Sequence, residues 1–214
     1  MPRKLLYVTV DRITLTTNGE PPNVTDDSVK HALMATMLYP RSGAPTVTSA
    51  LPVKELARGP NDLAGLSFYS NGLFKEEVQD TTLLNIKVVN RQESSKIEKF
   101  ILSLFATIFG AGVGVLTGGL TGVLGAVTAF GVDALKGGIK SAGDDEVITI
   151  GETDNIPIDI ASLGSIAITH DYDLILKAPV VKRFIDPRTG QVNSFTINPG
   201  ANGSIRLKMR AEEL

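Results

Sequence analysis

The sequence predicts a mainly β protein, an antiparallel β-sandwich carrying an inserted glycine-rich α-helical hairpin. Three observations predict it. Apolar residues alternate with a period of two up to Asn90 and again from Glu146 to Leu214, as half-buried strands require. Loops rich in Pro, Gly and Asn punctuate both regions. Between them, from near Arg91 to near Ser141, the hydrophobic period changes to about three and a half.

The first region opens on a strand from Lys4 to Thr17. Leu6, Val8 and Val10 share one face, after which the phase shifts to Ile13 and Leu15, so a bulge or bend is expected at Asp11 and Arg12. Asn18 to Asn23, with Gly19, Pro21 and Pro22, reads as a turn. His31 to Tyr39 fits strand or helix, and Pro40 is expected to stop either. A clearer strand places Thr82, Leu84, Ile86 and Val88 on one face, with Asn85 and Lys87 on the other.

The last region reads as short strands: Val147 to Ile150, Ile156 to Ile160, Ser165 to Ile168, Tyr172 to Leu176, Val180 to Ile185, Val192 to Ile197 and Ser204 to Arg210. Asp186 to Gly190 and Asn198 to Gly203 carry hairpin-turn chemistry. In the final strand Ile205, Leu207 and Met209 should face inward, with Arg206, Lys208 and Arg210 outward. Each flank alone supplies only a small core. Residues 1–92 and 142–214 are therefore expected to pair as one discontinuous β-sandwich domain, with residues 93–141 inserted as the hairpin. In strand count and spacing the arrangement is similar to sandwiches of the immunoglobulin or C2 general type.

The insertion carries most of the functional information. Phe100 to Val132 is a run of 33 residues without charge, eight of them glycine. Gly110, Gly114, Gly118 and Gly122 fall at four-residue intervals, which lays a bare backbone groove along one helix face and lets a partner helix approach closely. Ile101, Leu104 and Ile108 line the opposite, bulky face, with Phe100, Phe105 and Phe109 adding aromatic surface along the same arm. Glycine costs a helix interior about 1 kcal/mol relative to alanine, so such a segment needs tight packing on both faces or a bilayer around it. Phe100 to Leu116 spans about 26 Å as a helix, slightly short of a hydrocarbon core of about 30 Å. Gly118 and Gly119 form the natural hinge, and Lys96, Lys99, Lys136 and Lys140 suit a hairpin whose two ends share one surface.

Composition narrows the alternatives. Lys and Arg number 21 against 23 Asp and Glu, giving a formal charge of −2 and no excess cation for phosphates, so nucleic acid is disfavoured as a partner. With no cysteine there is no disulfide, zinc-thiolate site or thiol nucleophile. The apolar run from Leu5 to Val10 is too short for a signal-peptide core, so cytoplasmic synthesis without classical export is expected, with peripheral or conditional membrane association.

No catalytic signature emerges. His31 and His170 are far apart and read as structural. Asp171 and Asp173 could meet a calcium ion, with Asp154 nearby, but no glycine-centred ligand loop surrounds them and solvated charge is the favoured reading. Gly110, Gly112 and Gly114 resemble a dinucleotide loop only superficially, since Val115 occupies the third glycine position. The sequence thus points to a non-enzymatic protein, without cofactor, metal or small-molecule substrate. Its β scaffold would deliver the hairpin to membrane lipid as a membrane-associating or pore-forming element, or use it for homo-oligomeric assembly. The alternative is a soluble structural module whose hairpin packs against β-strands or neighbouring subunits.

Overall fold

The computed structural model describes residues 3–20, 31–41, 44–53, 56–63, 71–91, 126–127, 147–186 and 188–214. Its strands are β1 (Arg3–Leu15), β2 (His31–Arg41), β3 (Ala44–Val53), β4 (Gly59–Asp62), β5 (Gly72–Gln79), β6 (Thr81–Arg91), β7 (Ala126–Val127), β8 (Val147–Glu152), β9 (Ile156–Asp159), β10 (Ile168–Leu176), β11 (Val180–Ile185), β12 (Val192–Ile197) and β13 (Gly200–Glu213). One turn of 3₁₀ helix, Ile160–Ser162, follows β9 and is capped by the Asp159 carboxylate, which accepts from the Ala161 N–H. The protein is mainly β and antiparallel throughout.

Eleven strands form one sheet that curls over its own core. Along it run β4, β1, β13, β10, β8, β6, β2, β3 and β7, while β5 shares the free edge of β1 and β9 shares the edge of β6. The turn between the two halves is narrow, because β10 meets β8 only at Ile175 and Glu152. The expected sandwich of two separate sheets is corrected here. Its layers are halves of a single hydrogen-bonded sheet, and the small hairpin β11–β12 is the second sheet.

Alternation explains which face each strand buries. In β1 the buried Leu6, Val8 and Val10 give way to buried Ile13 and Leu15, and the pairing to β13 slips between Val10 and Arg12. The extra residue, Asp11, resets the parity so that both halves of the strand point into the core. Its other edge changes partner at the same place, from β5 along Arg3 to Thr9 to β4 along Arg12 to Leu15. Thr82, Leu84, Ile86 and Val88 of β6 and Ile205, Leu207 and Met209 of β13 are buried as expected, and the apolar ones join one cluster with Leu33, Ala35 and Met37 of β2 and Phe74 and Val78 of β5.

Other expectations need adjusting. His31 to Tyr39 is strand, and Pro40 does not stop it, since β2 runs on to Arg41 through an irregularity after Leu38 where no regular ladder bond is required of proline. The separate strands expected at Ser165–Ile168 and Tyr172–Leu176 are replaced by one, β10. Most of the inserted segment, including Phe100, Ile101, Leu104, Phe105, Ile108, Phe109, Gly110, Gly114, Gly118 and Gly122, lies outside the described residues. Ala126 and Val127 belong to the expected return helix but are extended, pairing with Thr48 and Val47 on the edge of β3. Neither described residue of the insertion is helical, so the helical hairpin is not supported where the insertion can be followed.

The close approach of β13 to β1 at the Leu15–Gly203 pair depends on one glycine. At Gly203 φ is +109, and a Cβ there would lie 1.9 Å from the Thr14 carbonyl oxygen, in the backbone of β1. Gly203→Ala should therefore destabilise the fold by roughly 2 kcal/mol or more in urea unfolding, whereas Gly164→Ala, with open space around it, should stay within about 0.5 kcal/mol.

Candidate functional site

The insertion has a defined root. Residues 92–146 connect β6 to β8, and the last residue of β6, Arg91, pairs directly with the first of β8, Val147. The chain thus leaves and re-enters the sheet at neighbouring positions. One residue before the root, Asn90 is fully buried, and around it gathers a cluster of polar side chains that is the most unusual feature of the described core.

Five elements contribute to that cluster. Glu20 and Asn18 come from the loop after β1, His31 from the start of β2, Asn90 from β6, Lys182 from β11, and Leu56 with Arg58 from the loop before β4. Lys182 is 1% and Glu20 2% exposed, and the lysine Nζ donates to Glu20 Oε1 at 2.7 Å and to Asn90 Oδ1 at 2.6 Å. Asn90 Nδ2 donates in turn to the same Glu20 oxygen at 2.8 Å and to the Asn18 carbonyl at 3.0 Å. Charge, amide and carboxylate therefore close a ring of hydrogen bonds, which is what makes a buried ion pair tolerable.

Histidine completes the cluster from below. Leu56 N–H donates to His31 Nδ1 at 3.1 Å, so that nitrogen is an acceptor, and Nε2 lies 2.7 Å from the Asn18 carbonyl, so it carries the proton. Asn90 Nδ2 sits 2.9 Å from Nε2 because both donors share that one carbonyl oxygen. The loop holds its own bend. Glu20 N–H donates to Asn18 Oδ1, and Gly19 has φ +78 with no room for a Cβ beside Ile150. Both ring nitrogens of His31 are held by backbone groups and the Lys182 amine is held by carboxylate and amide, so this arrangement fastens elements together and presents no open nucleophile or base.

What it fastens is the hairpin β11–β12, which shares no ladder with the main sheet. Val180, Lys182, Phe195 and Ile197 face the body of the protein, with Val180 and Phe195 packed against the core. Val181, Ile185 and Val192 face outward and are exposed. The hairpin thus turns a lysine inward and aliphatic side chains outward.

The acidic positions near β10 arrange themselves differently from a metal site. Asp171 accepts from Arg206 Nε at 2.9 Å and Nη2 at 2.7 Å, a two-point ion pair on the exposed sheet face. Among the described residues no group of three or more His, Cys, Asp or Glu is placed to hold a metal ion. Asp173 instead borders a cleft of about 230 Å³ with Thr153, Asp154, Ile156, Pro157 and Tyr172. That is smaller than ordinary ligand pockets of about 300–1,000 Å³. Burial raises the Tyr172 phenol above its usual pKa, which keeps it protonated. No helix among the described residues is long and apolar enough to cross a membrane.

Comparison with protein-family models and with curated proteins finds no match to this chain. Sequence reasoning singled out neither Glu20, Asn90 nor Lys182. One signal was available, since Lys182 shares a strand face with Val180, a charge where the alternation asks for an apolar residue.

Glu20→Gln and Lys182→Met should each cost about 3–5 kcal/mol in denaturant unfolding, and Glu20→Leu combined with Lys182→Met should cost clearly less than the sum of the single changes, because the pair's desolvation cost disappears with both charges. For Asp171, the Arg206 hydrogen bonds hold the carboxyl below the usual carboxylate range. A depressed folded-state pKa stabilises above the ordinary carboxylate pKa, and the contribution fades as pH falls through the lowered value. Carboxyl NMR titration should show Asp171 moving back toward the ordinary range in Arg206→Gln, and calcium should leave its resonance in place.

Proposed function

We propose that this protein is a non-enzymatic, membrane-associating protein that forms pores or assemblies, in which the β scaffold delivers the glycine-patterned segment 93–141 to a bilayer. The observation that carries this reading is the charge-free run from Phe100 to Val132 with glycines at four-residue intervals. Support comes from where the run is attached. Its two ends join adjacent antiparallel strands at Arg91 and Val147, so a hairpin could move as a unit at the cost of only the two-residue pairing of Ala126 and Val127 with β3. On this reading the curled β-sheet scaffold stays folded while a helical hairpin forms in lipid, where backbone groups must be satisfied within the segment.

A second reading is favoured by a separate observation, the pairing of Ala126 and Val127 with the edge of β3. There the protein is a soluble assembly module whose insertion packs on β-strands, its own or a neighbour's. The two readings share a resting state and part at the bilayer.

Charge separates them. Ile108→Lys places an ammonium in the middle of the longer arm, which costs on the order of 3 kcal/mol in a bilayer. A membrane-working segment should lose vesicle flotation and leakage with little change in melting temperature. A segment packed in protein should instead lower the melting temperature sharply, in a wild type that never floats. Gly114→Leu with Gly118→Leu should abolish leakage or self-association by filling the groove; unchanged oligomer size together with unchanged leakage removes both readings.

A further inference from the structure

The hairpin β11–β12 carries aliphatic side chains on its outward face as well as its inward one. Register pairs Val181 with Thr196, Arg183 with Ser194 and Ile185 with Val192 on the outward face. Val181 is 57%, Ile185 56% and Val192 69% exposed, although the strand alternates and a slip of one residue would turn Val181 and Ile185 inward and put Lys182 in water. That slip is blocked. Lys182 is locked onto Glu20 and Asn90 while Val180, Phe195 and Ile197 pack inward beside it, so the ion pair and these core contacts together hold three aliphatic side chains in solvent.

We infer that the outward face of β11–β12 docks on the interfacial layer of an anionic lipid bilayer, as the first point of attachment for the segment rooted beside it. This inference rests on the membrane reading of the insertion. Three features select lipid over a protein partner. The face is small: three aliphatic side chains offer roughly a few hundred Å², well below the 800 Å² or so per partner of a stable protein interface, while interfacial insertion needs only shallow burial of a few apolar groups. Its charge suits anionic headgroups, with Arg183 on the same face and exposed Arg188 in the turn, against a chain of net charge −2. Asp186, the acid of that turn, accepts from the Arg188 N–H at 2.8 Å and keeps its charge, so the outward face and its turn carry two arginines against one carboxylate. The position also fits. Beyond Leu176, β10 runs antiparallel to β8, toward the end where Arg91 pairs with Val147, and Lys182 reaches Asn90 next to that root.

The absence of tryptophan makes a local test direct. In Ile185→Trp, in the full chain, fluorescence should shift to the blue on vesicles of phosphatidylcholine mixed with phosphatidylserine, and much less on phosphatidylcholine alone. Ile166→Trp, at an isoleucine 84% exposed elsewhere, should not shift. Ile185→Ser with Val192→Ser should weaken flotation on the mixed vesicles at least about tenfold at unchanged melting temperature, since both side chains are in solvent. Wild-type flotation in that double variant, an equal shift at position 166, or a position-185 tryptophan already shielded without lipid would overturn the docking face while leaving the insertion reading standing. A dimer in sedimentation that dissolves in the double variant would assign the face to a second copy instead. Conversely, Gly114→Leu with Gly118→Leu should keep the position-185 shift and lose leakage; keeping both would sink the insertion reading alone. A wild type that floats on neither vesicle ends both.

Discussion

A lysine inside a β core is tolerable only when something else is buried with it, and the Lys182–Glu20 pair organises a good part of this protein on that condition. Glu20 can reach the lysine because Gly19 bends the loop after β1 and Asn18 holds the bend. Asn90 bridges both charges, and His31 is brought to its fixed tautomer by the backbone groups that the same loop and Leu56 present. The members share donors and acceptors with one another, so removing one leaves a buried polar group behind and destabilises the core. Apolar residues of similar volume would often stabilise a core as well or better. What the charged pair adds is registry: it permits one seating of β11 against the body.

That registry matters because the hairpin it seats has no backbone ladder to the main sheet. Elsewhere the protein relies on hydrogen-bonded pairing, and strands slide only at the cost of many bonds. The hairpin relies on Val180, Phe195, Ile197 and the ion pair. Mixed control of this kind, a ladder for the scaffold and a few side chains for an appendage, lets the two parts differ in stability without a difference in fold.

Much of the scaffold was legible from period alone. The faces of β6 and β13, and the parity reset in β1, could be read because each strand is half-buried and its polar residues face water. The strands that escaped reading broke that pattern for physical reasons. β3 carries Pro45 and Pro52 and buries Thr46, Thr48 and Ser49, so neither its composition nor its alternation announces a strand. β5 places Lys75, Glu76 and Glu77 in succession at its exposed and half-exposed positions. The continuity of the sheet was hidden because it rests on a single pairing, Ile175 with Glu152. The ion pair was hidden because its partners stand 162 residues apart, and separation of that kind leaves no local trace beyond one lysine on an apolar face. For the insertion, glycine spacing describes a helix surface well, yet Ala126 and Val127 are extended, and a strand edge at β3 is an alternative that no helical pattern reveals.

The pairing of β1 with β13 also sets an order of events during synthesis. β1 lies near the start of the chain, but its long partner, from Gly203 to Glu213, follows the insertion. A ribosome therefore finishes the charge-free segment while β1 still lacks that neighbour and before β8, β10 and β11 exist to close the root. Contacts this distant in sequence form late. For an interval the least charged part of the polypeptide is therefore made before the strands that flank its far end.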